Sequence, residues 1–195
     1  MMNLLEPLWR WYDRLYLRRH LVRDLPIPGG AVVWLGFARY RGRPLTLSDG
    51  TVVRRDDRIG VLHLYNDRVA ALHSPDGSPY RGVMALFERF RLTMRALAEQ
   101  LAAGSLGDVR AFTATTVFFT GMARAGFDVV SLGPRYRGRV VAWYQRALIT
   151  RHHPRGRERA KVERFVEARA AWISREALLR RYGPAASSLE TDTRA

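Results

Sequence analysis

The chain has no cysteine, a single lysine and no long uninterrupted apolar run. The missing cysteine excludes disulfides, zinc ribbons and thiol nucleophiles. A membrane helix needs roughly 18–20 apolar residues in succession, and no stretch approaches that. The N-terminal segment MMNLLEPLWRWYDRLYLRRH is apolar and basic, yet it carries charges throughout and no small-residue cleavage site, so it reads as neither signal peptide nor transmembrane helix. Gly77-Ser78-Pro79-Tyr80-Arg81-Gly82 has two glycines but lacks the Lys-Ser/Thr pair of a phosphate-binding loop. His152 and His153 stand among arginines that repel a cation, and His73 with Asp76 is too sparse, so no metal site is read. Helix-turn-helix, zinc-finger and RNP patterns are absent as well, which makes nucleic acid a minor partner class. Cytoplasmic residence, at most peripheral to a membrane, is the expectation.

What is present is arginine. The formal net charge is +15, and of 33 basic residues only Lys161 is lysine. Base composition of a genome produces such a skew as readily as binding does. Arginine nonetheless suits bidentate contact with phosphate and carboxylate, and so positive a field attracts anionic glycan, anionic membrane or nucleic acid. A length of 195 residues fits one domain over 1–184. The small, polar tail over 185–195 reads as disordered.

The periodicities set out an element order. Residues 7–23 read as an amphipathic helix, a docked first helix with an interfacial membrane helix as the alternative. Ala31 to Ala38 is a buried strand. Leu45 to Leu47 and Thr51 to Val53 flank the Asp49-Gly50 hairpin turn. Ile59 to Tyr65 is a strand with which Val69 to Leu72 pairs. Val83, Leu86, Phe87, Phe90, Met94, Leu97 and Leu101 recur at helical spacing from Tyr80 to about Ala103, where Gly104 stops them. Val109 to Thr113 is a strand, Thr116 to Ala125 a helix, Phe127 to Leu132 a strand, and Val140 to Ile149 and Glu158 to Ala171 are helices. Ser174 is an N-cap, with Glu176 in the first turn, Arg180 and Arg181 in the last, and Gly183-Pro184 beyond.

DGTVVRRDDRIGVLHLYN, AFTATTVFFTGMARAGFDV and AWISREALLRRYG, in this order and spacing, resemble three signatures of the YkoP-like family, bacterial proteins found alone or joined to polysaccharide deacetylase domains. Asp49, Gly50, Thr51, Asp57, Ile59, Leu62, His63 and Asn66 match the first signature. The family usually carries Gly-Asp where this chain has Asp56-Asp57, so the turn is altered there. The resemblance implies an accessory or binding module in bacterial cell-envelope glycan metabolism, contacting an anionic glycan precursor or the membrane surface.

The fold expected is one α/β (α+β) domain, a mixed or mainly antiparallel sheet flanked by helices with further helices at the C-terminus. Its element order also resembles the GNAT acyltransferase arrangement. That resemblance implies an acyl-CoA donor held by the amides of Tyr80, Arg81, Gly82 and Val83 at the start of the long helix. His63 shares a strand face with Ile59, Val61 and Tyr65. It is the candidate general base at neutral pH, with Asp49 or Asp57 as its orienting partner. Against this, a strand histidine also serves to bond a buried carbonyl, and Asp49 is sufficiently explained by its turn.

Overall fold

The computed structural model describes residues 25, 27, 30–72, 79–133, 138–139, 141–143, 145–146 and 167–184. The N-terminal helix expected over 7–23, the basic loop over 151–157 and the tail over 185–195 lie outside them. Among the described residues the elements follow one another as β1 (Val33–Arg39), β2 (Leu45–Thr46), β3 (Val52–Val53), β4 (Arg58–Leu64), α1 (Asn66–Ala71), α2 (Pro79–Ala102), β5 (Ala111–Thr116), α3 (Phe119–Arg124), β6 (Asp128–Ser131), β7 (Arg169–Ser174) and α4 (Arg175–Tyr182). Residues 138–139, 141–143 and 145–146 are helical as well.

Five strands form one mixed sheet in the order β1-β4-β5-β7-β6, and β2-β3 is a separate hairpin. The β4–β5 pair is parallel and its neighbours are antiparallel. Because side chains alternate along a strand, the registers sort the core into two layers. Leu35, Leu62, Phe112 and Ile173 face α2, whose Met94, Leu97 and Leu101 are fully buried with them. Ile59, Ala111, Ala170 and Trp172 face the other way and are covered by Leu47 and Val53 of the hairpin. Gly60 lies in the first layer because the Phe112 ring fills the space above it; an added Cβ would come within 2.6 Å of Phe112 Cε1.

The long helix is buried along part of its length only. A helix of 24 residues extends about 36 Å at 1.5 Å per residue, whereas a strand of seven covers about 23 Å. Thr93 Oγ accepts the Val32 N–H at 3.3 Å, and Val32 O accepts the Tyr65 N–H at 2.8 Å, so Thr93 stands level with the end of β4. Before it, Leu86 and Phe90 still pack against the core, with the Phe90 ring centroid 6.2 Å from that of Phe127. Val83 and Phe87, on the expected core stripe, turn outward and are 49% and 48% exposed.

Two expectations are corrected. Val69 to Leu72 does not pair with β4; Asn66–Ala71 is a helix. The helix expected to run through Ala171 does not reach it, since Arg169–Ser174 is β7, a strand inserted between β5 and β6. The N-cap holds: Ser174 Oγ accepts the Ala177 N–H at 2.8 Å.

Candidate functional site

The sheet divides at its parallel pair. Three partners join β4 to β5, ending at Val61↔Thr113. Yet β4 continues to Leu64, still paired with β1, and β5 continues to Thr116, still paired with β7. Past Val61 and Thr113 neither strand pairs with the other, which leaves an unpaired seam between their carboxyl ends.

Hydrogen-bond alternation shows what lines it. Tyr40 N bonds Asp57 O and Tyr65 N bonds Val32 O, so odd-numbered residues of β4 turn their main chain toward β1. Leu62 and Leu64 consequently turn theirs toward β5. On β5, Arg175 N bonds Arg110 O, which assigns the even positions to β7 and turns Thr113 and Thr115 toward β4. Beyond the last ladder pair a side chain takes the place of the strand. Gln145 Nε2 donates to Thr115 O at 2.7 Å, and Gln145 Oε1 accepts the Val117 N–H at 2.7 Å. A carboxamide thus imitates a peptide unit along the freed edge of β5. Nothing in the sequence singles out Gln145, because only the tertiary path brings its helix to this edge.

His63 projects from β4 beside the seam. It sits opposite Trp34 in the β1 register, with ring centroids 6.4 Å apart and planes 22° apart. The Trp34 and Tyr65 ring centroids are also 4.2 Å apart, and the Arg68 guanidinium lies 4.5 Å from the Tyr65 centroid. The half-buried row of Trp34, His63 and Tyr65 makes an aromatic shelf on the sheet face away from α2.

The proposed orienting carboxylates are elsewhere. Asp57 precedes β4 and His63 lies near its far end; six residues of strand separate them by about 20 Å. Asp49 belongs to the hairpin turn. Its carboxylate accepts from Ser174 Oγ and from Thr51 N at 3.0 Å, with Arg180 Nη2 at 3.5 Å. Ser174 is in register with Ala111, which faces Ile59, so Asp49 stands about 13 Å along β4 from His63. Burial pushes the Asp49 carboxyl up, but the hydroxyl of Ser174, the amide and hydroxyl of Thr51 and the charge of Arg180 outweigh it and hold the group below its ordinary value. Asp49 therefore works as a buckle. The neighbouring Ser48 N–H bonds Asp128 Oδ2 at 2.9 Å, tying the same turn to β6.

Tyr80 to Val83 form the first turn of α2, with the side chains of Tyr80 and Arg81 outside the described residues. They precede Thr93 by ten to thirteen residues, about 15–20 Å along the axis. Among the described residues no group of three or more His, Cys, Asp or Glu could hold a metal ion, and no helix is long and apolar enough to cross a membrane.

A family model described as the YkoP domain matches residues 2–182. A protein of Bacillus subtilis (strain 168) described as "Uncharacterized protein YkoP" is 24% identical over 133 residues, covering 67% of this chain and 72% of that one. No solved structure matches.

Proposed function

The chain belongs to the YkoP family, and from that premise and the divergence of β4 from β5 we propose that it is an acyltransferase drawing on an acyl-CoA donor. The observation that carries this is the parallel pair that stops after three partners while both strands run on. Ligands of open sheets containing parallel strands bind outside the carboxyl ends of those strands. A sheet edge left without a strand partner takes an extended, amide-bearing chain by strand addition. On the β5 side Gln145 already holds Thr115 O and the Val117 N–H by the same kind of amide pairing, so the added chain would pair with the β4 side past Val61. The pantetheine arm of coenzyme A is such a chain, with two amides. Laid in the seam it would bring the thioester beside His63, with its outer end directed toward the start of α2 at Tyr80 to Val83. The succession of strand β4, the short α1, the long helix α2, β5, α3 and β6 also supports the acyltransferase arrangement.

In this reading His63 accepts the proton of an attacking amine or hydroxyl. The new bond forms to the acyl carbon, the carbon–sulfur bond breaks, and coenzyme A leaves as the thiol. Calorimetric titration with acetyl-coenzyme A tests the idea. Saturable binding should be lost when Thr115→Trp, an exposed position beside the seam, crowds it. His63→Gln should still bind but release thiol about 100-fold more slowly or worse. Absence of binding, or binding indifferent to Thr115→Trp, would refute the proposal.

A further inference from the structure

At the opposite end of β4 the chain builds an open groove of about 550 Å³. Arg39, Arg54, Arg58 and Arg110 line it together with Asp56, Asp57 and Asp108. Three of the guanidinium groups are anchored by main-chain carbonyls. Arg39 Nη1 donates to Asp56 O at 2.9 Å, Arg58 Nη1 to Leu106 O at 2.9 Å, and Arg110 Nε to Val52 O at 3.4 Å. Arg58 also lies 4.3 Å from the Phe37 ring centroid. Gly107 permits this seating, since a Cβ there would meet Arg58 Nη1 at 2.7 Å.

A carbonyl orients a guanidinium without neutralising it. Among the described residues none of these four arginines forms a salt bridge; Asp56 is paired with Arg41 outside the groove. Each guanidinium carries five N–H donors and spends at most one here. Held forks with unspent donors are what grips phosphate bidentately. The aspartates add a second requirement. Asp57 uses Oδ2 to accept the Arg54 N–H at 2.7 Å, leaving its other oxygen to the groove, and Asp108 is exposed. Carboxylates accept only, so a ligand must bring hydrogen-bond donors together with negative charge. Duplex DNA offers phosphate without hydroxyls and would set its charge against Asp57 and Asp108.

We propose that this groove binds a phosphorylated sugar, its phosphate on the arginine forks and its ring hydroxyls donating to Asp57 and Asp108. The groove lies at the far end of β4 from His63, so the proposal stands apart from the acyl-CoA reading.

The test is calorimetric titration of the full chain with glucose 1-phosphate, glucose, inorganic phosphate and a short DNA duplex. Glucose 1-phosphate should bind saturably and glucose should not. The Arg54→Gln/Arg110→Gln double variant should weaken binding about tenfold or more with an unchanged melting temperature, which separates loss of the site from loss of the fold. Asp108→Asn should weaken glucose 1-phosphate and leave inorganic phosphate unmoved. The proposal is overturned if glucose 1-phosphate gives no saturable heat up to about 10 mM, or if the arginine substitutions leave its affinity unchanged. It is equally overturned if only the duplex binds, with affinity collapsing as salt rises.

Discussion

Asp49 accepts a hydrogen bond from the hydroxyl of Ser174, a residue 125 positions away that also caps α4. The turn of a two-stranded hairpin is thereby fastened to the junction of the strand and helix that close the fold. Ser174 is 1% exposed and the Asp49 side chain 13%; Asp49 gives the buried hydroxyl its acceptor, while Thr51 N and Arg180 also reach the carboxylate.

Removing that hydroxyl should hurt twice. Ser174→Ala takes away an N-cap, worth about 0.5–2 kcal/mol, and one hydrogen bond of the Asp49 carboxylate, which keeps Thr51 N and Arg180, costing about 0.5–1.5 kcal/mol more. Urea unfolding should show a loss of about 1–3 kcal/mol. A loss under about 0.5 kcal/mol would mean that water replaces Ser174.

The same carboxylate predicts an acid limit. Asp49 has a folded-state pKa below its ordinary 3.8. A depressed acid contributes stability that is fully present above the unfolded pKa and lost as pH falls through the folded one. Stability should thus decline as pH drops below the ordinary value, and Asp49→Asn should flatten that decline while lowering stability at neutral pH. Parallel acid-unfolding curves for the two proteins would rule the buckle out as the source.

Gly60→Ala should destabilise the sheet by about 1–3 kcal/mol, the cost of overpacking, because the new methyl meets the ring of Phe112 and Leu35 Cδ1 at 3.2 Å. Phe112→Leu should recover part of that loss in the Gly60→Ala background, although it is destabilising alone. Strict additivity in a double-mutant cycle would show that the two positions do not compete for space.

Asp56 has φ 68°, the one described non-glycine residue in left-handed backbone. Aspartate tolerates this conformation and β-branched residues do not. Asp56→Gly should be close to neutral, since the Arg41 ion pair it breaks is exposed on both sides, whereas Asp56→Val should cost about 1–3 kcal/mol. Comparison of melting temperatures checks both.

Tyr182 donates to Ala125 O at 2.7 Å from a buried position, and burial raises its pKa despite Arg181 and Arg91 nearby. A raised tyrosine contributes stability that is present below the unfolded value of 10.0 and lost as pH rises past it. Tyr182→Phe should cost about 0.5–1.5 kcal/mol at neutral pH and should remove that alkaline decline. Tyrosinate absorbance during alkaline unfolding would reveal the opposite if Tyr182 ionises while the protein is folded.

Local chemistry was enough for much of this chain. Asp-Gly specified the hairpin, alternation placed His63 on a face with Ile59 and Val61, helical spacing announced α2, and Ser174 announced the cap of α4. These signals lie within a few residues of what they specify. The central position of β7 was not legible, because Arg169 to Ala171 reads as a continuing helix until β5 and β6 offer it two edges to pair with. The separation of His63 from Asp57 and Asp49 was equally hidden: spacing in sequence says nothing of which strand end a carboxylate reaches. Gln145 at the seam and the carbonyl-held arginines of the groove depend on contacts between residues dozens of positions apart. The sequence by itself determined where the chain turns, caps and alternates, whereas the sheet order, the parting of β4 from β5 and the company each charged group keeps were decided only by tertiary packing, which alone fixes contacts between distant segments.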